Sequence, residues 1–274
     1  MLRVSELFVY PVKSLGGISL PAAELTDRGF RYDRRWMLVD EQHRFLTQRQ
    51  YPQMALLQPV ITGEGIRIHN RQDAGEKILL PFTASGETLD VQIWDDRCSA
   101  VAVGRVADEW FSRALQMNCR VVFMPDESLR RVDPAYALHG NDFSAFSDDY
   151  PLLLISQASL DDLNSRLAAP LPMDRFRPNM VITGSHPYEE DEMAHFTIRG
   201  IDFYGVKPCS RCVVTTIDQQ TGEKQPEPLR TLASYRRRNN KILFGQNVLC
   251  NQPGTVQVGD AVSVVARKPA PSFQ

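Results

Sequence analysis

Two cysteines in Pro208-Cys209-Ser210-Arg211-Cys212 raise the question of what chemistry this chain performs. A C-x2-C pair supports four readings. Structural zinc takes four ligands, usually from two such pairs or from one pair and two close histidines. Here the pair stands alone, and His43, His69, His139, His186 and His195 are scattered singly. A thioredoxin-type redox pair opens a helix after a strand. Cys212 is instead followed by Val213-Val214-Thr215-Thr216-Ile217-Asp218, a β-branched run that predicts a strand. Plain packing of small apolar thiols is the third reading. The fourth is a thiolate ligand for a soft or high-valent transition metal. Arg211 would lower the thiol pKa, and Ser210, Thr215 and Thr216 add hydroxyls. The spacing alone leaves these readings open.

Other stretches add anion-binding chemistry. Lys13 and Ser14 precede a Gly-Gly turn, Arg34 and Arg35 stand together, and Arg177 and Asn179 flank Pro178 at the start of an apolar run. A proline biases the residue before it toward extended backbone. Arg177 is therefore expected to be extended, with Arg177 and Asn179 projecting on one side. The formal net charge of −2 supplies no global basic field for nucleic acid or acidic membranes, so local arginines must carry any anion binding.

The elements that position these groups read as mostly β. The segments 3–12, 35–49, 195–206 and 255–266 carry strand patterns, and 65–70, 77–82 and 89–96 add short strands at roughly even spacing, the signature of a sandwich or barrel. The segment 35–49 reads as a hairpin turning at Asp40–His43, and 255–266 as two strands around a Gly-Asp turn. Helices are expected over 106–115, with Trp110, Phe111 and Leu115 on one face, and over 156–167, with a Ser N-cap and Leu160, Leu163 and Leu167. The polar stretch 125–150 is expected to be a long loop, and a loop of that length is either functional or disordered. It divides the chain into residues 1–124, 125–266 and a tail or linker at 267–274.

The five cysteines are an odd number in a chain of 274 residues, which argues against a disulfide framework, and Cys98, Cys119 and Cys250 sit among apolar neighbours as packed thiols. The N-terminus has no signal-peptide core and no apolar run is long enough to cross a bilayer, which predicts a cytoplasmic location, or a matrix-like one for an organellar protein.

"FRPNMVITG", "PYEEDE", "PCSRCVVTTID", "EPLRTLASYRR" and "FGQN" occur in order and together resemble the MOSC domain, the C-terminal domain type of molybdenum cofactor sulfurases. "VYPVKSLGGISL", "GFRYDRRWMLVD" and "FLTQRQYPQM" resemble the β-barrel domain that precedes MOSC in amidoxime-reducing components and bacterial YcbX-type proteins. The resemblance spans about residues 1–266. It implies an α+β, mostly β fold, a MOSC β-barrel preceded by a smaller β-rich N-terminal domain with a few helices.

The resemblance also implies a molybdenum cofactor, a metal held by a pyranopterin dithiolene, with Cys212 as the metal ligand and catalytic thiolate. Its phosphate and pterin contacts would fall on Lys13, Ser14, Arg34, Arg177, Asn179, Ser210 and Arg211, and on Asp149 and Tyr150 just before "PLLLIS". A pyridoxal phosphate label attaches to the family as well. The acidic run 188–192 is expected to face solvent, with Asp191 placed to orient an arginine. The implied activity is reduction of amidoximes, hydroxylamines and N-hydroxylated base analogues such as 6-hydroxylaminopurine. Electrons would come from a ferredoxin or flavoprotein, with no nucleic-acid or membrane partner. Many bacterial relatives continue into a ferredoxin domain. This chain shows no iron–sulfur cysteine motif, so that partner is expected in trans or removed at a linker. The rival reading is a non-enzymatic carrier of the molybdenum cofactor or of sulfur on Cys212.

Overall fold

The first strand, Arg3–Val9, buries Val4, Leu7 and Val9 rather than a strictly alternating set. A register shift between Val4 and Glu6 accounts for the extra step. The computed structural model describes residues 1–140, 142–250 and 252–273. Its largest sheet runs Val262–Arg267, Met193–Ile198, Ile201–Ser210, Lys241–Leu249, Leu152–Ser156, Met180–Thr183, Arg3–Val9, Ile18–Leu20. Leu152–Ser156 and Met180–Thr183 pair in parallel, and helix Gln157–Ser165 makes the crossover between them. Three smaller sheets come from 36–123, from 57–81, and from Ala22–Thr26 paired with Gly254–Gln257 and Gly29–Phe30.

The mostly β, α+β class expected from the sequence is what the chain adopts, with a β-rich N-terminal part and three α-helices among the described residues. Two pairings tie the ends of the chain together. Arg3–Val9 takes its place beside Met180–Thr183, and Ala22–Thr26 pairs with Gly254–Gln257. The expected helices form at Arg105–Leu115 and Gln157–Ser165. Ser156 caps the second, its Oγ accepting from Ser159 N at 3.0 Å. Trp110, Phe111 and Leu115 are buried, and they share a core with Trp36, Leu38 and Val121. Cys98, Cys119 and Cys250 are buried free thiols, and burial pushes each up to about 11.

Three local expectations need correction. The run after Cys212 is not a strand but a single 3-10 turn, Val213–Thr216. Its threonines explain the difference. Thr215 Oγ1 donates to Cys212 O at 3.0 Å and Thr216 Oγ1 to Val213 O at 2.7 Å, so the hydroxyls reward a tight turn that bare β-propensity does not anticipate. The strands at 254–257 and 262–267 do not pair with each other; they diverge into different sheets.

The acidic run 188–192 does not face solvent. Glu189, Glu190 and Asp191 are all buried. Each carboxylate has a partner that makes burial tolerable. Glu190 accepts Ser156 N at 3.1 Å and Ser159 Oγ at 2.9 Å, at the N-terminus of helix Gln157–Ser165, where the helix dipole favours an anion. Asp191 pairs with the buried Arg236, and Glu189 with Arg267.

Burial, reinforced by Asp191, raises the Glu190 pKa above its ordinary value despite the Ser156 and Ser159 bonds. Between those two values the folded state holds the proton more tightly than the unfolded state. Its contribution to stability is therefore full below the ordinary carboxylate range and is lost as pH rises through the folded value. Glu190→Gln removes this dependence. In urea denaturation across a pH series, the variant's stability relative to wild type is expected to climb as pH rises above the ordinary carboxylate range. A pH-independent difference would contradict the analysis.

Candidate active site

Strand Ile201–Ser210 continues for one more hydrogen bond, Arg211 N to Ile242 O at 2.7 Å, and then leaves the sheet. Cys212 follows with extended backbone (φ −123°, ψ 178°) at the head of the 3-10 turn. It is half-buried, and Val213 beside it is exposed. Cys209 packs against the core that contains Phe176 and Phe244. Arg211 Nη1 donates to Cys209 Sγ at 3.0 Å, and Arg211 Nη2 to Phe176 O at 2.6 Å. Burial pushes the Cys209 thiol pKa up, and Arg211 only partly offsets it. Arg211 thus joins the thiol segment to the residue that precedes Arg177.

Arg177 and Arg34 both lie over the Tyr10 ring, 4.2 and 4.4 Å from its centroid. Arg34 Nη1 contacts Asp33 Oδ2 at 2.5 Å and Asn179 Oδ1 at 3.1 Å, while Nη2 reaches Arg177 O at 3.4 Å. Arg177 Nη1 donates to Leu15 O at 2.7 Å. Burial, with repulsion from Arg34, lowers the Arg177 pKa to about 10. Its backbone is not extended, as the following proline predicts, but left-handed at φ 54°. Ser14 (φ 67°) and Arg34 (φ 48°) share that conformation. The reach of Arg34 to the Arg177 carbonyl and of Arg177 to the Leu15 carbonyl holds these turns in place against their local preference.

Lys13 completes the cluster. Its buried ammonium donates to Phe146 O and to Asp148 Oδ1, each at 2.7 Å. Burial lowers the Lys13 pKa and Asp148 counteracts it. Asp148 is half exposed, and although partial desolvation opposes its ionisation, Lys13, Arg49 and the Trp94 indole outweigh this and hold its carboxyl below the usual range. The Asp148 charge acts on Arg177 and Cys209 too, which places cations and thiols in one electrostatic neighbourhood.

Lys13, Arg34, Arg49, Arg177 and Arg211 stand against Asp33 and Asp148. Among the described residues, the buried Nε atoms of Arg49 and Arg211 have no hydrogen-bond partner. Surplus positive charge and unused donors fit an anionic group with phosphate oxygens. The half-buried Cys212 fits a soft metal. Among the described residues no three His, Cys, Asp or Glu side chains converge as a metal-binding group, so a one-thiolate ligand mode is what this segment offers.

Not every expected residue joins the cluster in the same way. Asn179 is fully buried and its amide is already engaged. Oδ1 accepts from Leu153 N at 3.2 Å and from Arg34, and Nδ2 donates to Phe8 O at 3.2 Å. It staples three segments and orients Arg34. Ser14 contributes its carbonyl to Gln48 Nε2 at 2.7 Å, and Ser210 is exposed at the strand end. Asp149 is exposed. Tyr150 packs instead with Val132 and Leu249, beside Tyr136 and Lys207. Sequence reasoning missed Tyr10, Asp33, Arg49, Trp94 and Asp148. Tyr10, Asp33 and Arg49 lie inside quoted motifs, and Asp148 in the loop already marked by its length.

This division of labour has a measurable form. In the cofactor-free protein Asn179→Ala is expected to cost about 2 kcal/mol, because it strips a buried N–H and a guanidinium of a shared acceptor. Arg177→Met removes a buried charge that faces another cation and is expected to shift stability by less than about 1 kcal/mol. It should nevertheless weaken pyrophosphate binding about tenfold or more. Urea denaturation and isothermal titration separate the two. Equal destabilisation by both would remove the distinction.

Residues 1–118 match the MOSC N-terminal beta barrel domain, and residues 140–263 match the MOSC domain. The chain is 34% identical to mitochondrial amidoxime-reducing component 1 of Mus musculus, over 96% of this chain and 82% of that protein. It is 33% identical to the Homo sapiens protein of the same name, over 96% and 83%. A molybdenum cofactor sulfurase of Oryza sativa subsp. japonica is 34% identical over 89% of this chain, which corresponds to 32% of that longer protein. Among the described residues no helix is long and apolar enough to cross a membrane. The chain belongs to the MOSC family, in the branch that joins the MOSC domain to an N-terminal MOSC β-barrel and includes the amidoxime-reducing components.

Proposed function

We propose that this protein is a molybdenum-cofactor-dependent reductase of N-hydroxylated compounds, amidoximes and hydroxylamines among them, supplied with electrons by a ferredoxin or flavoprotein partner. The observation that carries the reading is that Arg211, next to the half-buried Cys212, bonds the Phe176 carbonyl just before Arg177 and so ties the thiol segment to the cation cluster. The names of its relatives, amidoxime-reducing component and molybdenum cofactor sulfurase, support the same chemistry.

In this reading Cys212 Sγ holds the metal. Lys13, Ser14, Arg34, Arg177, Ser210 and Arg211 hold the cofactor's phosphate and pterin, and Asn179 acts by orienting Arg34. The main chain at Asp149 and Tyr150 is a further candidate contact. When bound, the cofactor supplies two-electron chemistry at the substrate N–O bond. The chain supplies position and electrostatics. The 3-10 turn, closed by Thr215 and Thr216, fixes where Cys212 leaves the sheet. Cys209 packs into the core beside Phe176 and takes Arg211 on its sulfur, which leaves Cys212 as the thiol available for ligation. Buried guanidiniums that keep their charge give the cofactor's anionic end a low-dielectric partner.

The carrier reading draws on the rice sulfurase likeness, and one comparison separates the two. Protein purified from a host that makes the cofactor is assayed for molybdenum and for turnover of benzamidoxime with a chemically reduced viologen. Wild type is expected to contain molybdenum and to turn over. Cys212→Ser should lose most of the metal and at least about a hundredfold of the activity, the scale expected when a metal ligand fails. Metal retained equally in both proteins would end the ligand assignment. Metal present and transferable without turnover would favour the carrier.

A further inference from the structure

Trp94 sits where turn chemistry asks for glycine. Strands Thr88–Ile93 and Asp96–Ala102 pair with Ile93 opposite Asp96, so Trp94 and Asp95 form a two-residue hairpin loop. Trp94 has φ 54°, and Asp95 is not among the left-handed residues. That is the pattern of a turn whose first central position favours glycine. A bulky aromatic residue held there signals a use for the ring.

The ring is also held in place. Trp94 Nε1 donates to Asp148 Oδ1 at 3.3 Å. The Arg49 guanidinium lies 4.1 Å from the indole centroid, and Phe45 meets it edge-on at 4.7 Å. Gln92 Nε2 fixes its carbonyl at 2.9 Å. Even so the residue is 37% exposed, whereas Trp36 and Trp110 are buried. The carboxylate it binds is the one that takes Lys13 and acts on Arg177 and Cys209. The indole therefore stands at the rim of the candidate active site, oriented before any ligand arrives.

We propose that Trp94, backed by Arg49 and Phe45, is a stacking platform that selects planar aromatic or heteroaromatic N-hydroxylated substrates over small aliphatic ones. A planar π-system gains from an offset stack on a fixed indole, and a cation on the indole strengthens its hold on electron-rich rings. An alkyl substrate gains neither. The inference rests on the reductase reading for its substrate class, and its physical core is binding, which can be read without turnover.

Two measurements test it. With cofactor-loaded protein and a chemically reduced viologen, Trp94→Gly, a substitution that suits the turn, is expected to raise KM for benzamidoxime about three- to tenfold. KM for acetamidoxime should rise at least about threefold less than KM for benzamidoxime, and Trp94→Phe should recover most of the benzamidoxime loss. Separately, benzamidoxime should saturably quench the exposed indole fluorescence of wild type, acetamidoxime should not, and Trp94→Phe should abolish the response. Equal KM shifts for both substrates, or quenching that survives in Trp94→Phe, would overturn the platform. Absence of turnover in wild type with both compounds would count against the reductase reading, and the quenching result would still decide the platform.

Discussion

Two guanidiniums, Arg34 and Arg177, share one buried tyrosine ring, and much of the site's architecture follows from making that tolerable. Like charges brought close in a poorly solvated place repel, and burial already works against each. The structure meets this cost with fixed acceptors: Asp33 and Asn179 for one guanidinium, the Leu15 carbonyl for the other. Those acceptors come from distant parts of the chain. The pairing of Arg3–Val9 with Met180–Thr183 brings them together, because it sets Tyr10 and its turn beside Pro178. The sheet that joins the two ends of the sequence is also the frame on which the cation cluster is hung.

The compensation is incomplete, and that incompleteness is what makes the cluster read as a binding site. A buried ion pair such as Asp191 and Arg236 sets one charge directly against its opposite. Around Tyr10 the charges of Arg34 and Arg177 meet those of Asp33 and Asp174, while the buried Nε atoms of Arg49 and Arg211 face no acceptor among the described residues. Asp148 answers some of that field, held ionised by Lys13 and Arg49. A site built this way favours a multiply charged ligand over water, at a cost to the empty protein.

Much of the fold was legible because it follows from periodicity and caps. The helix at 105–115 has its apolar face in the sequence, and Ser156 announces the next one. What was not legible depended on tertiary partners. Glu189, Glu190 and Asp191 look like a solvated run until Arg236, Arg267 and a helix N-terminus are placed against them. The strand expected after Cys212 became a turn through two hydroxyl bonds to carbonyls. At the candidate site, residue types pointed to Lys13, Arg34 and Arg177, but only the structure shows Asn179 to be a staple whose amide bonds Leu153 and Phe8. It also shows that Tyr150 belongs to a different cluster from Arg34.

The left-handed residues show where local preference was overruled. Ser14, Arg34, Arg177 and Trp94 all take positive φ, one of them directly before a proline. None is the glycine or asparagine that such turns favour. A chain selected only for stability would replace them, since each departs from its own conformational preference. They are four of eleven non-glycine residues with positive φ among the described residues, and three of the four aim a side chain across the fold. Arg34 reaches the Arg177 carbonyl, Arg177 reaches the Leu15 carbonyl, and Trp94 reaches Asp148. Each contact spans segments remote in sequence, so the backbone strain at each turn is held by the fold as a whole. Rigidity of this kind positions charged and aromatic groups before a ligand binds, and it lowers the entropy that binding must overcome.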